Sequence, residues 1–385
     1  MPDPTAIDKP VDTSAVGDDG DMTTTAPPDI AARRLHAQRL AGEPFASAVD
    51  AVRWFGAMQS QDYGGAKWAL GQRTRGATEA ELDRLLDEGS ILRTHVMRPT
   101  WHFVLPEDIR WLLELTSPRI RLGLAARYRR LEIDERVVAH ARAAFAEALA
   151  GGRHLTRSDL GEVLRAVGIS PDGQRLPHLL SAAELEGLIT SGPRLGKQFT
   201  FALLQERAPN ARLLGRNEAI AELTRRYFRS HGPAQVQDFV WWSGMTVADA
   251  RSGIALAGAG LERQVVDGKD YWFDAKAGPA RDATRLAHLL PNYDEYTVAY
   301  RDRAATLDAG RPFEPALFSF GSVLSNVVTI GGRVRGAWRR TVTRTGVRVE
   351  LRLLDILEPT EAAAVSKAVQ RLGRFLESPV ELISA

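Results

Sequence analysis

The chain has 385 residues, 44% of them hydrophobic and 25% charged, with no cysteine and a formal net charge of +2. This is a globular composition, long enough for roughly two to four domains. The missing cysteine excludes disulfides, thiolate metal sites and a cysteine nucleophile. No apolar run reaches bilayer-spanning length and no signal peptide opens the chain, so a cytoplasmic protein with no membrane partner is expected.

In chain order, residues 1–29 come first. They hold seven Asp and one Lys and carry −6, so with +2 overall the remaining residues carry +8. Rich in Pro, Thr, Asp and Gly and poor in large apolar side chains, this stretch is expected to be a disordered acidic tail. Only six of the 50 basic residues in the chain are lysine. Arginine suits bidentate phosphate contacts, and the basic excess permits nucleic-acid binding without requiring it.

One pattern then occurs three times: short helices followed by a β-hairpin. In residues 30–130, "AARRLHAQRLAG" reads as a helix ended by Gly42. In "SAVDAVRWFGAMQ", Val49, Val52, Phe55 and Met58 recur at helical spacing. "ATEAELDRLLDEG" starts at an N-cap, Thr78, with Glu81 placed to complete a capping box. Residues 131–210 repeat the order, ending in the hairpin "PRLGKQFTFALL". Residues 211–284 repeat it again, closing on a hairpin around Asp267-Gly268, the strongest two-residue turn signal in the chain. Helices followed by a two-stranded wing make a winged helix. In residues 285–385 the pattern changes to apolar–polar alternation across a Gly331-Gly332 turn. An amphipathic helix follows, with Ala364, Val365, Ala368, Val369 and Leu372 on one stripe. The expected fold is α+β: three tandem winged-helix units and a C-terminal β-rich element.

The first unit ends in "ILRTHVMRPTWHFVL", two strands about Arg98-Pro99. With those residues at the tip, Val96 faces Trp101, His95 faces His102 and Thr94 faces Phe103. Strand alternation then puts Val96, Trp101, Thr94 and Phe103 on an apolar face, and His95, His102, Thr100 and Met97 on a polar one. Pro99 is a poor second residue for a two-residue turn, so a four-residue loop is the other reading. The paired histidines read as solvated or hydrogen-bonded. Two His with no nearby third ligand make a poor zinc site, and no metal or other cofactor is expected.

Earlier in that unit, "GAMQSQD" sets Gln59 and Gln61 on either side of Ser60 at the expected end of the second helix. By themselves they read as a helix C-cap and a solvated side chain. Together with "RRLHAQRLAG", "LRTHVMRPTWHFV", "LLPNYDEYTVAYRDR" and "GGRVRGAWRR", in the same order over roughly residues 30–375, the segment resembles the azinomycin-resistance, AlkZ-like winged-helix DNA glycosylases. The Gln-x-Gln matches that family's catalytic motif. Ser60 departs mildly from its usual small or aliphatic middle residue, and Gln61 points to the azinomycin-type branch.

The resemblance implies a monofunctional glycosylase that removes N7-alkylguanine, bulky adducts and interstrand crosslinks included, from double-stranded DNA. It implies a C-shaped monomer around the duplex. Gln59 and Gln61 would be catalytic, Arg98 would sit near DNA, and His95, Thr100 and His102 near the lesion. Arg301 and Arg339 read either as DNA contacts or as ion-paired and solvated side chains. Lys67 is the lone lysine of the first unit and is expected at the surface or on a phosphate, not as a Schiff-base nucleophile. Trp241-Trp242 reads as core. A non-catalytic winged-helix regulator is the competing function, but such proteins usually dimerise on paired half-sites, and three non-identical units favour a monomer that wraps DNA.

Overall fold

The computed structural model describes residues 29–278, 283–307 and 326–384. The predicted acidic tail lies outside the described residues except for Asp29, whose carboxylate accepts from the Ala32 amide and caps the first helix.

The first group of elements is α1 (Ile30–Ala37), α2 (Ala48–Phe55), β1 (Ala57–Gln59), α3 (Tyr63–Gly71), α4 (Glu79–Glu88), β2 (Leu92–Val96) and β3 (Thr100–Val104). The long α5 (Ile109–Arg130) leads into α6 (Glu135–Leu149), β4 (Leu155–Thr156), α7 (Arg157–Ala166), α8 (Arg175–Leu185), β5 (Ile189–Ser191), β6 (Thr200–Leu203) and the short α9 (Leu204–Arg207). The third group is α10 (Arg216–His231), α11 (Val236–Ser243), α12 (Val247–Ala257), β7 (Leu261–Val266) and β8 (Lys269–Asp274). The C-terminal part contains β9 (Ala287–Leu290), α13 (Glu295–Val298), β10 (Val327–Ile330), β11 (Arg333–Val342), β12 (Val347–Leu353), α14 (Pro359–Phe375) and β13 (Val380–Ser384).

Each of the first three groups runs strand, helix, helix, hairpin, with its first strand beside its last. The sheets are ordered β1-β3-β2 and β4-β6-β5. In the third group Ala234 bridges Trp272 of β8, which pairs with β7. This is a helix-turn-helix with a wing, three times over. Local chemistry sets the breaks. Thr78 caps α4 by accepting from the Glu81 amide. Asp267 and Gly268 sit at φ 49° and 73°, and Gly331 and Gly332 at 60° and 79°. Both pairs make the left-handed two-residue turns that suit hairpin twist.

The C-terminal strands form one sheet, β13-β12-β11-β10-β9. On it α14 buries Val365, Ala368, Val369, Leu372 and Phe375. That stripe also closes onto the first group: the Phe375 and Trp68 rings lie 5.2 Å apart. At Gly71 an added Cβ would fall 2.5 Å from the Phe375 ring, so any larger residue there must displace that ring. Val52, Phe55 and Trp68 thus share one core with Val349 and Leu372. The second group has its own core around Phe145 and Leu179. In the third group, Tyr227 and Trp242 pack with Trp111 of α5 and with Val96 and Met97 from the tip of the first hairpin.

Four expectations change here. Helix α1 ends at Ala37 with Gln38 as its C-cap, so Gly42 does not end it. Gln59 lies on a strand, not at the end of α2, because Gly56 at φ 80° caps that helix and turns the chain into β1. Lys67 is buried, not at the surface, and pairs with Glu79 at 3.0 Å and Asp83 at 2.8 Å. Of the Trp pair only Trp242 is core; Trp241 is 45% exposed.

Candidate active site

The hairpin register also differs from the expected one. Thr94 pairs with His102, His95 with Trp101 and Val96 with Thr100. The turn takes three residues, Met97-Arg98-Pro99, with Met97 at φ 62°. A one-residue shift sends alternate side chains to the opposite face. His95 and His102 are therefore not side by side. Thr94, Val96, Thr100 and His102 share a face, while Arg93, His95, Trp101 and Phe103 share the other.

β1 adds to the first of these faces. It pairs antiparallel with β3 and sets Gln59 opposite His102. Two further bonds fix the segment that follows: the Ser60 amide donates to Trp101 O at 2.7 Å, and Arg93 donates to Ser60 O at 3.0 and 3.2 Å. Helix α3 is capped by Asp62, which accepts from the Gly65 amide at 3.1 Å. Neither glutamine caps a helix. Gln59 is 6% exposed, and its Oε1 accepts from the Arg98 guanidinium at 2.9 Å. Gln61 is exposed, and its Oε1 accepts from the Trp101 amide at 3.3 Å.

Beneath Gln59 lies a residue the sequence did not single out. The Glu295 carboxylate accepts from the Gln59 amide at 2.6 Å, from Trp242 Nε1 at 2.9 Å and from His231 Nε2 at 3.2 Å. Burial alone would raise the pKa of this group, but the bonds from His231 and the Gln59 amide hold it below the usual range. Burial lowers the pKa of His231, so its neutral ring donates to Glu295. Glu295 stands in the quoted "LLPNYDEYTVAYRDR", where nothing local separates it from Asp294. Asp294 is a structural ion pair, held by Arg73 at 2.8 and 2.9 Å.

His102 is fully buried, with Nδ1 at 2.9 Å from Thr100 O. Burial, then the nearby Arg98 charge, push its pKa down to about 3. The ring is neutral, and the carbonyl at Nδ1 makes Nε2 the acceptor. That Nε2 is buried with no partner, as are Ser60 Oγ, Thr94 Oγ1, Thr100 Oγ1 and Arg98 Nε. An unsatisfied buried polar group costs roughly 1–3 kcal/mol, so several around one strand pair mark a place that folding alone does not explain. Arg98 itself is folded back over the site, its guanidinium 6.0 Å from the Trp241 ring centroid. Gly244 admits the hairpin tip, since an added Cβ there would meet Met97 O at 2.8 Å.

The remaining predicted residues lie apart from these bonds. His95 packs against Trp101, with ring centroids 4.0 Å apart and the planes tilted by 42°, and meets Glu184 of the second group at 2.7 Å. Arg339 reaches across the C-terminal sheet to Glu350 at 2.9 Å. Arg301 is exposed and its backbone N–H donates to Asp238 at 2.9 Å. Among the described residues no three His, Asp or Glu side chains converge as a metal site, and no helix is long and apolar enough to cross a membrane.

With fold and site in view, the class is defined: residues 52–375 match the DNA glycosylase AlkZ-like family, so the chain belongs to that family and is a DNA glycosylase, a DNA-binding enzyme of DNA repair. Its structure is similar to that of Streptomyces sahachiroi DNA glycosylase AlkZ, with a TM-score of 0.74. The match covers 92% of this chain and 98% of that one, at 21% sequence identity. No curated protein matches the chain in sequence.

Proposed function

We propose that this glycosylase hydrolyses the N-glycosidic bond of N7-alkylguanine in double-stranded DNA, bulky adducts and interstrand crosslinks included. In this reading Gln59 and Gln61 form the catalytic pair. The observation that carries it is that both amide oxygens sit at the tip end of the first hairpin, on Arg98 and on the Trp101 amide, and neither is used to cap a helix.

The chemistry suits neutral amides. N7-alkylguanine carries a positive charge, so it departs without being protonated. As the C1′–N9 bond breaks, its electron pair neutralises the base and the sugar becomes oxocarbenium-like. Water then adds to C1′ and releases its proton to solvent. Amide oxygens accept from that water and turn the negative ends of their dipoles towards the cationic sugar. Holding the water in place lowers the barrier further. Glu295 positions Gln59 through its backbone, and its buried negative charge favours a cation on that side of the strand. Thr100 and His102 Nε2 offer unspent polar groups to the lesion.

One contact must change first. Arg98 donates to Gln59 Oε1, which occupies the acceptor and places a cation where the sugar becomes positive. Engagement of Arg98 by a DNA phosphate would free the amide. Lys67 is tied between Glu79 and Asp83, which supports hydrolysis by water over a Schiff base. The three strand–helix–helix–hairpin groups, residues 30–130, 131–210 and 211–284, would line the duplex with residues 285–385 behind the first, in a monomer. The test is product analysis on a duplex with one N7-methylguanine. Release of the free base, an unbroken abasic strand and no borohydride-trapped complex are expected. An intact glycosidic bond on both this duplex and a crosslinked one would remove the proposal.

A further inference from the structure

A cleft elsewhere in the molecule shares no residue with the Gln59 cluster. It has a volume of about 250 Å³ and lies between α1, Trp54 of α2, α10 and the end of β8. Arg33, Arg39, Arg229 and Lys276 line it, against one carboxylate, Asp274. The arginines are built into the wall by aromatic rings. Arg33 lies 4.0 Å from the Phe273 centroid, and Arg39 and Arg229 lie 5.2 and 4.4 Å from that of Trp54.

Their hydrogen bonds go to neutral acceptors. Arg33 donates to Gln264 Oε1 at 2.8 Å, Arg39 to Glu43 O at 3.4 Å and Arg229 to Trp54 O at 3.5 Å. Arg229 Nε is buried with no partner at all. Two buried guanidinium groups of this chain instead meet carboxylates, Arg73 at Asp294 and Arg226 at Asp108 and Glu222, while buried Arg93 meets only a backbone carbonyl. Burial lowers the pKa of both Arg33 and Arg229, and in Arg229 the neighbouring Arg226 lowers it further, outweighing the opposing charges of Glu262 on Arg33 and of Glu222 and Asp274 on Arg229. Grouped like charges with unspent donors are costly unless an anion completes them. The ring faces already carry cations, so the cleft offers charge and N–H donors, not a stacking platform for a base.

We propose that this cleft binds a phosphate group. Planar guanidinium forks match phosphate oxygens in pairs, and several forks converging from separate elements outdo the single contact a surface arginine makes. The phosphate comes from one of two sources, the backbone of duplex DNA or a small phosphorylated molecule, and the experiment separates them.

The full-length protein is compared with R33Q/R229Q and, in case that pair weakens the fold, with R39Q/K276Q at less buried positions. The charge-keeping R33K/R229K is the control. Affinity for an undamaged duplex is measured against salt, and thermal stabilisation by inorganic pyrophosphate is measured in parallel. Each phosphate neutralised contributes about 0.9 to the slope of log affinity on log salt. A slope shallower by about 0.9 in the Gln variants, with the wild-type slope retained in the Lys control, assigns the site to the DNA backbone. An unchanged slope, with pyrophosphate stabilisation present in wild type and lost in the Gln variants, assigns it to a small phosphorylated ligand. An unchanged slope with no pyrophosphate effect overturns the proposal. Because Gln59 and Gln61 are untouched, base excision on a damaged duplex reads out the catalytic proposal separately.

Discussion

The three winged-helix groups treat one junction in two ways. In the second group β4 ends at Thr156, and Thr156 itself caps α7 in a box with Asp159. In the third, Gln235 directly follows the bridging Ala234 at the N-cap of α11, where its backbone N–H donates to Asp238 Oδ2 at 2.9 Å. In the first, β1 ends at Gln59 but the cap of α3 is Asp62. Ser60 and Gln61 are interposed. The residues at this junction hold helices together in two groups and are released from that duty in one. What released them for other work is an extra length of chain, not an unusual residue type, since the third group also has a glutamine at this junction, at the N-cap position itself.

The comparison breaks first at the glutamines. Removing a positioned polar group that stabilises a transition state typically costs about 10²–10³ in rate. Gln59→Ala and Gln61→Ala are each expected to lower single-turnover excision by that order, with little change in thermal midpoint. Second is Glu295→Ala, which strands the Gln59 amide, His231 and Trp242. Each buried donor left unsatisfied costs roughly 1–3 kcal/mol, so urea titration should show a loss of several kcal/mol. Excision measured where the variant is still folded should also fall, because Gln59 loses its anchor; full excision by folded protein would separate Glu295 from the site.

Acid provides a third probe. A proton binds His102 with a pKa of about 3 in the folded chain, against about 6.5 when unfolded. Between these values the unfolded chain binds a proton that the folded chain does not, so stability falls as pH drops from 6.5 towards 3, by up to about 1.4 kcal/mol per pH unit. His288 is buried with the same lowered value. His102→Asn should therefore remove part of this acid slope, not all of it. Excision by wild type should stay flat between about pH 6 and 9, since neutral amides do not titrate there; a steep rise through that range would bring in a general base. The smallest effect sharpens the contrast: Gln235→Ala, at the matching junction of the third group, should cost only about 1 kcal/mol as the lost side-chain hydrogen bond to Asp302 and leave excision by the folded protein unchanged.

Much of the fold was legible because its signals are local. Thr78 as a cap, Asp267-Gly268 and Gly331-Gly332 as turns, and the α14 stripe each depend on neighbours a few residues away. The strand assignment of Gln59 was not. Val52, Phe55 and Met58 keep helical spacing, but Gly56 ends the helix, and Met58 is buried instead opposite Phe103 on β3. The hairpin register was missed by one residue because Met97 takes a left-handed conformation that a methionine does not advertise. The roles of Glu295 and Lys67 depend on partners elsewhere in the fold: Gln59 lies 236 residues before Glu295, and no periodicity reports such a contact.

The most direct test is single-turnover excision by wild type and by the Gln59→Ala/Gln61→Ala double variant. The substrates are an N7-methylguanine duplex and a crosslinked duplex, with DNA affinity and thermal midpoint measured on the same preparations. The account predicts abasic product from wild type and almost none from the variant, at equal affinity and midpoint. Undiminished excision by a folded double variant would contradict it and place the chemistry elsewhere.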